Sequence, residues 1–137
     1  MQRVHLIYGV ILLVLFLFSG YFMLKSFPEI YGTSPEIRMM FRANHIYILF
    51  AALINLLLAI STVNTAGRFR ETAERFSSIF ILTGGILLVT AFFIEPASSA
   101  WNRPLTFSGI LLHLTGIIVI VVLRLSVHRK KDIKIEK

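Results

Sequence analysis

Apolar residues dominate four stretches of the chain, and charged residues collect between these stretches and after the last one. Each stretch is close to the ~20 residues that a helix needs to cross the hydrocarbon core of a bilayer. None of them alternates between apolar and polar residues, as the strands of a membrane barrel do. The pattern predicts an all-α fold, an integral membrane four-helix transmembrane bundle with spans at about 4–24, 43–63, 77–95 and 105–125.

We expect one transmembrane domain, residues 1–126, followed by a basic tail, residues 127–137. The first span follows Arg3 and so has one feature of a secretory signal peptide. It is, however, longer than the ~7–15 residues of a signal-peptide core, and no A-x-A-like cleavage site follows it. The sequence therefore predicts that this segment is a true span.

The second helix is predicted to start before its apolar part, in the segment SPEIRMMFRANHIY (residues 34–47). Ser34 is a favourable N-cap residue, and Pro35 suits the first helical position. A helix from residue 35 to residue 63 would be about 43 Å long at 1.5 Å per residue, which exceeds the ~30 Å hydrocarbon core. Arg38 and Arg42 are therefore expected in or above the headgroup layer.

The composition agrees with lipid as the solvent of this chain. Only 15% of the 137 residues are charged, whereas 56% are hydrophobic and the mean hydropathy is +0.79; soluble domains carry ~25% charged residues. The absence of cysteine excludes disulfides, thiolate nucleophiles and cysteine-ligated metal or iron–sulfur sites. The net charge of +7 lies between and after the spans, so we expect no nucleic-acid partner.

The distribution of Lys and Arg predicts the orientation, because cytoplasmic loops carry an excess of these residues. With four spans, the two termini and the 64–77 loop share one side of the membrane. Ten of the 14 Lys and Arg residues fall on that side, namely Arg3, Arg68, Arg70, Arg75, Arg124, Arg129, Lys130, Lys131, Lys134 and Lys137. The other four are Lys25, Arg38, Arg42 and Arg103. Both termini are therefore predicted to be cytoplasmic, at the plasma (inner) membrane if the source is bacterial.

His113 is the ionisable residue predicted to lie deepest in the membrane. Gly109 and Gly116 share its helix face at 100° per residue. One interpretation is that a haem lies along the two glycines with His113 as axial ligand. The alternative is that the glycines allow another helix to approach closely, and that His113 donates a hydrogen bond to Thr83, Ser19 or a backbone carbonyl.

A bis-histidine haem with His45 as the second ligand is not favoured by depth. His45 precedes its apolar run, whereas His113 lies several residues inside its own. The offset is roughly 9–12 Å along the helix axes, but two axial imidazole nitrogens lie only ~4 Å apart across the iron. A five-coordinate haem, or one completed by another subunit, stays compatible with the sequence.

Arg38, Arg42 and His45 form one stripe on the predicted second helix, at about 0°, 40° and −20°. Glu95 and Arg103, from the loop that follows the third span, are predicted to lie on the same outer side. These five residues form a candidate outer cluster that would bind an anion, a lipid headgroup or a haem propionate. Alternatively, the arginines reach lipid phosphates, and an arginine pairs with Glu95 to join two helix ends.

The sequence indicates no catalytic or metal site. It contains no nucleophile elbow, H-E-x-x-H motif, paired carboxylates or phosphate-binding glycine loop. We therefore expect an accessory, assembly or structural membrane protein rather than an enzyme. One alternative is a haem-binding redox membrane protein with His113 as ligand, and a second is an oligomeric small-molecule transporter. The expected partners are the lipid bilayer and other membrane protein subunits or further copies of the chain.

Overall fold

The computed structural model describes residues 1–30, 34–61, 68–96 and 102–135, with side chains up to residue 27 in the first range and residue 126 in the last. These ranges contain four α-helices: α1 (Gln2–Ile30), α2 (Pro35–Ile60), α3 (Arg68–Ile94) and α4 (Pro104–Ile135). Each helix includes a segment that is long and apolar enough to cross a membrane. The prediction of an all-α protein with four apolar helices is confirmed.

Each helix begins before its predicted span, but the helix ends differ from the predicted ones. Helix α2 begins at Pro35 after Ser34, whose backbone is extended and whose hydroxyl makes no capping hydrogen bond. The Ser34 carbonyl instead accepts the first helical hydrogen bond, from Arg38 N at 3.2 Å. The predicted second span to residue 63 is too long, because α2 ends at Ile60 and the backbone of Ser61 is extended; residues 62 and 63 lie outside the described residues. Helix α4 continues to Ile135, so the predicted tail, up to that residue, is an extension of the helix.

The four helices pack as two antiparallel hairpins. Helix α1 packs mainly on α2 and helix α4 mainly on α3, while a smaller contact between α2 and α3 joins the hairpins. At one end of the bundle, which we call the termini end, the start of α1 lies next to the segment of α4 around Arg124. The opposite end, the Glu95 end, holds the end of α3 and the start of α4.

Glycines bring α3 and α4 close together. A Cβ atom on Gly84 would lie 2.9 Å from the carbonyl oxygen of Gly109, and one on Gly109 would lie 3.1 Å from the carbonyl oxygen of Gly84. About two turns further along α4, a Cβ on Gly116 would lie 2.8 Å from the carbonyl oxygen of Ser77. The two backbones therefore touch directly, which is how membrane helices gain packing energy where lipid supplies no hydrophobic drive.

Apolar side chains fill the middle of the bundle in two adjoining layers. The first is nearer the centre and consists of Leu12, Ala51, Ala52 and Leu88. The second lies toward the Glu95 end and consists of Phe27, Phe41, Ile48 and Phe92. Phe41 and Phe92 pack edge to face with ring centroids 5.2 Å apart, a favoured aromatic geometry.

The glycine contact predicts that Gly84→Ala lowers the free energy of unfolding by ~1–3 kcal/mol, the usual cost of overpacking. The added methyl would meet the Gly109 backbone and, at 2.5 Å, the His113 ring. Thermal or denaturant unfolding of the detergent-solubilised protein measures the change.

Gly20→Ala is the matched control. Its methyl would meet only the His45 ring, at 3.2 Å, and it gains the same helix propensity of up to ~1 kcal/mol. We expect it to be neutral or stabilising. Equal effects of the two substitutions would contradict backbone contact between α3 and α4.

Candidate functional site

The carboxylate of Glu95 caps helix α4. Glu95 follows the last residue of α3 and is only 4% exposed. Its Oε1 accepts hydrogen bonds from the backbone N–H groups of Leu105 at 2.7 Å and Thr106 at 3.0 Å. These N–H groups belong to the first turn of α4 and have no partner within the helix. The negative charge also lies at the positive end of the α4 dipole.

The second carboxylate oxygen of Glu95 meets two side chains from the start of α4. The Thr106 hydroxyl donates a short hydrogen bond to Oε2, and the Nε of Arg103 lies 3.6 Å from the same oxygen. The side chain of Arg103 is about three-quarters buried, so solvent screens the attraction between the two charges only partly. The charge of Glu95 is therefore balanced by a guanidinium and three hydrogen-bond donors.

Asn44 on α2 completes this group, which we call the Glu95 network (Asn44, Glu95, Arg103 and Thr106). Asn44 is fully buried. Its Oδ1 accepts a hydrogen bond from Nη2 of Arg103 and lies 3.1 Å from the Thr106 hydroxyl. Its Nδ2 donates to the backbone carbonyl of Ala91 on α3 at 3.0 Å. Through Asn44, the network joins α2 to both α3 and α4.

Donor and acceptor roles in the Glu95 network follow from the chemistry of each group. A guanidinium can only donate, so the atom of Asn44 that faces Arg103 must be its oxygen, and the amide nitrogen then faces the Ala91 carbonyl. The Thr106 hydroxyl has one proton. The carboxylate of Glu95 is its stronger acceptor, because hydrogen bonds to ionised groups are the stronger ones.

The residues of the predicted outer cluster separate in the structure. Glu95 and Arg103 lie together, as described above. Arg42 is exposed, and the guanidinium of Arg38 lies 5.9 Å from the centre of the Phe27 ring on α1. The arginine that pairs with Glu95 is thus Arg103 from the start of α4, and not an arginine of α2.

His45, the third member of the predicted stripe, faces α1. Its ring stacks on Phe16 with centroids 4.1 Å apart, and its Nδ1 lies 2.8 Å from the hydroxyl of Ser19. The Ser19 hydroxyl donates its proton to the Phe16 carbonyl at 2.9 Å, so Nδ1 of His45 is the donor to Ser19. His45 therefore fastens α1 to α2 and lies on the other hairpin from His113.

Sequence reasoning missed Asn44, although a signal for it exists. The buried face of α2 holds Phe41, Asn44, Ile48, Ala51, Ala52 and Asn55. This face is turned by about 90° from the stripe of Arg38, Arg42 and His45. Asn44 and Asn55 are eleven residues apart, so they differ by only about 20° around the helix. Two asparagines in register along an apolar helix indicate its buried face.

His113 is fully buried between the two glycines of its helix face, as predicted. Within the described residues, neither ring nitrogen makes a hydrogen bond of normal geometry, and the ring lies 6.2 Å from that of Phe50. Leu88 and Ile81 of α3 occupy the space beside Gly109 and Gly116. Helix α3 therefore lies against this face, as in the alternative in which the glycines admit a second helix. The hydrogen bond from His113 to Thr83, Ser19 or a backbone carbonyl, which belonged to that alternative, is not formed with normal geometry within the described residues.

A second polar contact joins α1 and α2 near the termini end. Nδ1 of His5 lies 2.7 Å from Oδ1 of Asn55, and both residues are buried. The Nδ2 of Asn55 donates to the Ala51 carbonyl at 2.8 Å, which leaves Oδ1 as the acceptor for His5. In a neutral ring, the proton is therefore on Nδ1, and Nε2 is a hydrogen-bond acceptor.

Comparison with protein-family models, with curated proteins and with solved structures found no match to this chain. Within the described residues, no group of three or more His, Asp or Glu side chains is arranged to hold a metal ion. The roles of the site residues are therefore inferred from their contacts.

We predict that Glu95→Ala lowers the free energy of unfolding by about 3 kcal/mol, the low end of the range for removing one partner of a buried ion pair. The substitution leaves two backbone N–H groups and the Arg103 guanidinium without their acceptor. Glu95→Gln retains one acceptor oxygen and is expected to cost less. Unfolding of the solubilised protein measures both changes.

Glu71→Ala provides a matched control. Glu71 and Arg75 are only 2.7 Å apart, closer than Glu95 and Arg103, but their side chains are 59% and 66% exposed. Exposed pairs of this spacing contribute at most ~0.5 kcal/mol. A loss in Glu71→Ala as large as in Glu95→Ala would show that burial of the carboxylate is not what matters.

Proposed function

We propose that the chain is a multi-pass membrane protein whose four helices all cross the bilayer, with both termini in the cytoplasm. Large apolar side chains that are exposed on the outside of the bundle support insertion, because water would solvate them poorly. Examples from three helices are Leu17, Phe76 and Ile118. The excess of Lys and Arg at the termini end supports the orientation. If the source is bacterial, the membrane is the plasma (inner) membrane.

We further propose an accessory or structural role, in which the bundle acts on other membrane proteins through its outer surface. The observation that carries this proposal is the Glu95 network, since its donors and acceptors are used to hold α2, α3 and α4 together. Polar groups in membranes are functional candidates by default. Here their contacts support a rigid scaffold whose apolar outer faces are available to a partner.

We favour this role over the two alternatives. A haem-binding function would need α3 and α4 to separate, because side chains of α3 fill the groove beside His113. A transporter would need a polar path between the two ends of the bundle. The described core instead places the apolar layer of Leu12, Ala51, Ala52 and Leu88 between the Glu95 network and the His5–Asn55 pair.

The orientation predicts the behaviour of reporter fusions. A reporter that is active only in the cytoplasm should be active when fused after Lys137, and inactive when inserted between Tyr31 and Ser34. A reporter active only outside the cytoplasm should give the opposite result. Activity of the same reporter at both positions would place them on one side of the membrane, and would contradict the three crossings, by α2, α3 and α4, that the proposal puts between them.

The accessory role predicts a specific neighbour in the membrane. A photo-reactive amino acid in place of Leu17, Phe76 or Ile118 should give, from at least one of these exposed positions, a protein adduct of one discrete mass. The same amino acid in place of the buried Leu88 is the control and should give only intramolecular products. Lipid adducts alone from every exposed position would contradict a stable protein partner.

A further inference from the structure

A small cavity lies at the termini end, where all four helices contribute to its wall. Its volume is about 20 Å³, enough for one water-sized group, which needs ~10–15 Å³. Met1, Leu58 and Ile120 form the apolar part of the wall. The polar lining residues are Gln2, His5, Ser61, Glu74, Ser78 and Arg124.

Two of the polar lining residues are almost completely buried and have unused hydrogen-bonding capacity. His5 is 3% exposed, and its Nδ1 is committed to Asn55, so Nε2 is the acceptor left for the cavity. Ser78 is 2% exposed, and its hydroxyl makes no hydrogen bond within the described part of the chain. Both residues line the cavity, so a ligand or a water there can use this hydrogen-bonding capacity.

Glu74 adds a third acceptor, one helical turn before Ser78 on α3. It already has an interaction partner, but a carboxylate has about four lone-pair sites and can accept further hydrogen bonds. The cavity therefore combines an imidazole nitrogen, a hydroxyl oxygen and a carboxylate. An anionic group would meet the lone pair of His5 and the negative charge of Glu74, so the part of the lining formed by His5, Glu74 and Ser78 does not suit a phosphate oxygen.

A primary ammonium group fits the lining better. It is about the size of a water molecule and has three N–H donors, one for each acceptor. Arg124, from α4, also lines the cavity, and a guanidinium suits a phosphate on the same ligand. The lining residues also lie within a few positions of the predicted span ends, at residues 4, 63, 77 and 125, which is the depth of lipid headgroups.

We propose that this cavity binds the headgroup of an aminophospholipid, with the ammonium between His5 and Ser78 and the phosphate at Arg124. The inference rests on the proposed membrane insertion. Binding of such a lipid at the meeting point of four helices stabilises the folded bundle, because a ligand that binds only the native state shifts the unfolding equilibrium.

Native mass spectrometry of the full chain in detergent tests the proposal with three lipids of identical acyl chains. Phosphatidylethanolamine, its N,N-dimethyl derivative and phosphatidylcholine share the phosphate and differ only in methylation of the ammonium. Methylation removes donors and enlarges the group, so the dissociation constant should rise at least tenfold from the first lipid to the third. Equal binding of the three lipids would overturn the proposal.

Two further ligands separate the alternatives. Phosphatidylglycerol has no ammonium, and binding as tight as that of phosphatidylethanolamine would identify an anion site instead. Free phosphoethanolamine has the same charged groups without acyl chains. If it displaced phosphatidylethanolamine at equal concentration, the ligand would be a soluble amine rather than a lipid, and the proposal would fail.

Substitutions with matched controls locate the site. Ser78→Ala and Glu74→Gln should each weaken phosphatidylethanolamine about fivefold, the equivalent of one hydrogen bond at ~1 kcal/mol, without affecting phosphatidylcholine. Glu71→Gln removes the same charge one turn away, outside the cavity lining, and Arg3→Gln removes a surface charge at the same end; both should leave the preference unchanged. Equal losses in Glu71→Gln and Glu74→Gln would assign the effect to surface charge.

Failure of this inference is distinguishable from failure of the proposed membrane insertion. If the chain does not insert, the reporter fusions lose their expected pattern. If the chain inserts but lacks this site, the reporter pattern is retained and only the preference among headgroups disappears.

Discussion

The buried carboxylate of Glu95 is the constraint on which the arrangement of three helices depends. A carboxylate that leaves water must find donors within the protein or lose its charge. Glu95 finds them in the first turn of α4, in the Thr106 hydroxyl and in the Arg103 guanidinium. Since these donors all belong to the start of α4, the end of α3 and the start of α4 must lie side by side. Asn44 then fixes α2 against the same group.

Weaker polar contacts extend this arrangement to the first helix. The hydroxyl of Tyr8 lies beside Gly85 and donates a hydrogen bond to the Leu82 carbonyl on α3 at 3.0 Å. Between α1 and α2, His5 pairs with Asn55, and His45 pairs with Ser19. Such interhelical hydrogen bonds contribute only about 0.6 kcal/mol each in membranes. They still fix register, because a helix that slides by one residue leaves each of these buried groups without a partner.

The four helices were predictable from the length and hydropathy of the apolar stretches, and the start of α2 from Ser34 and Pro35, because these signals depend only on neighbouring residues in the chain. The close approach at Gly109 and Gly116 was predictable as one of two alternatives, because a helix face formed by glycines can accommodate either a flat haem or another helix. In the structure, α3 packs on this face, with Leu88 beside Gly109 and Ile81 beside Gly116.

The buried face of α2 was not predictable from hydropathy. In a soluble helix, apolar residues mark the buried face, but lipid tails are as apolar as a protein core. Both sides of α2 therefore look alike, and hydropathy alone allows the stripe of Arg38, Arg42 and His45 to face the bundle. The arginines instead belong to the outer surface and to the contact with Phe27. Only the spacing of Asn44 and Asn55 indicates which face of α2 is buried.

The dependence of the bundle on the Glu95 network is tested most directly by a double-mutant cycle between Glu95→Ala and Asn44→Ala. The two residues share Arg103 and Thr106 as partners, so removal of one disorganises the contacts of the other. We expect a coupling free energy of at least ~1 kcal/mol in the unfolding of the solubilised protein. Additivity of the two losses within ~0.5 kcal/mol would show that the residues act independently, and would contradict the network.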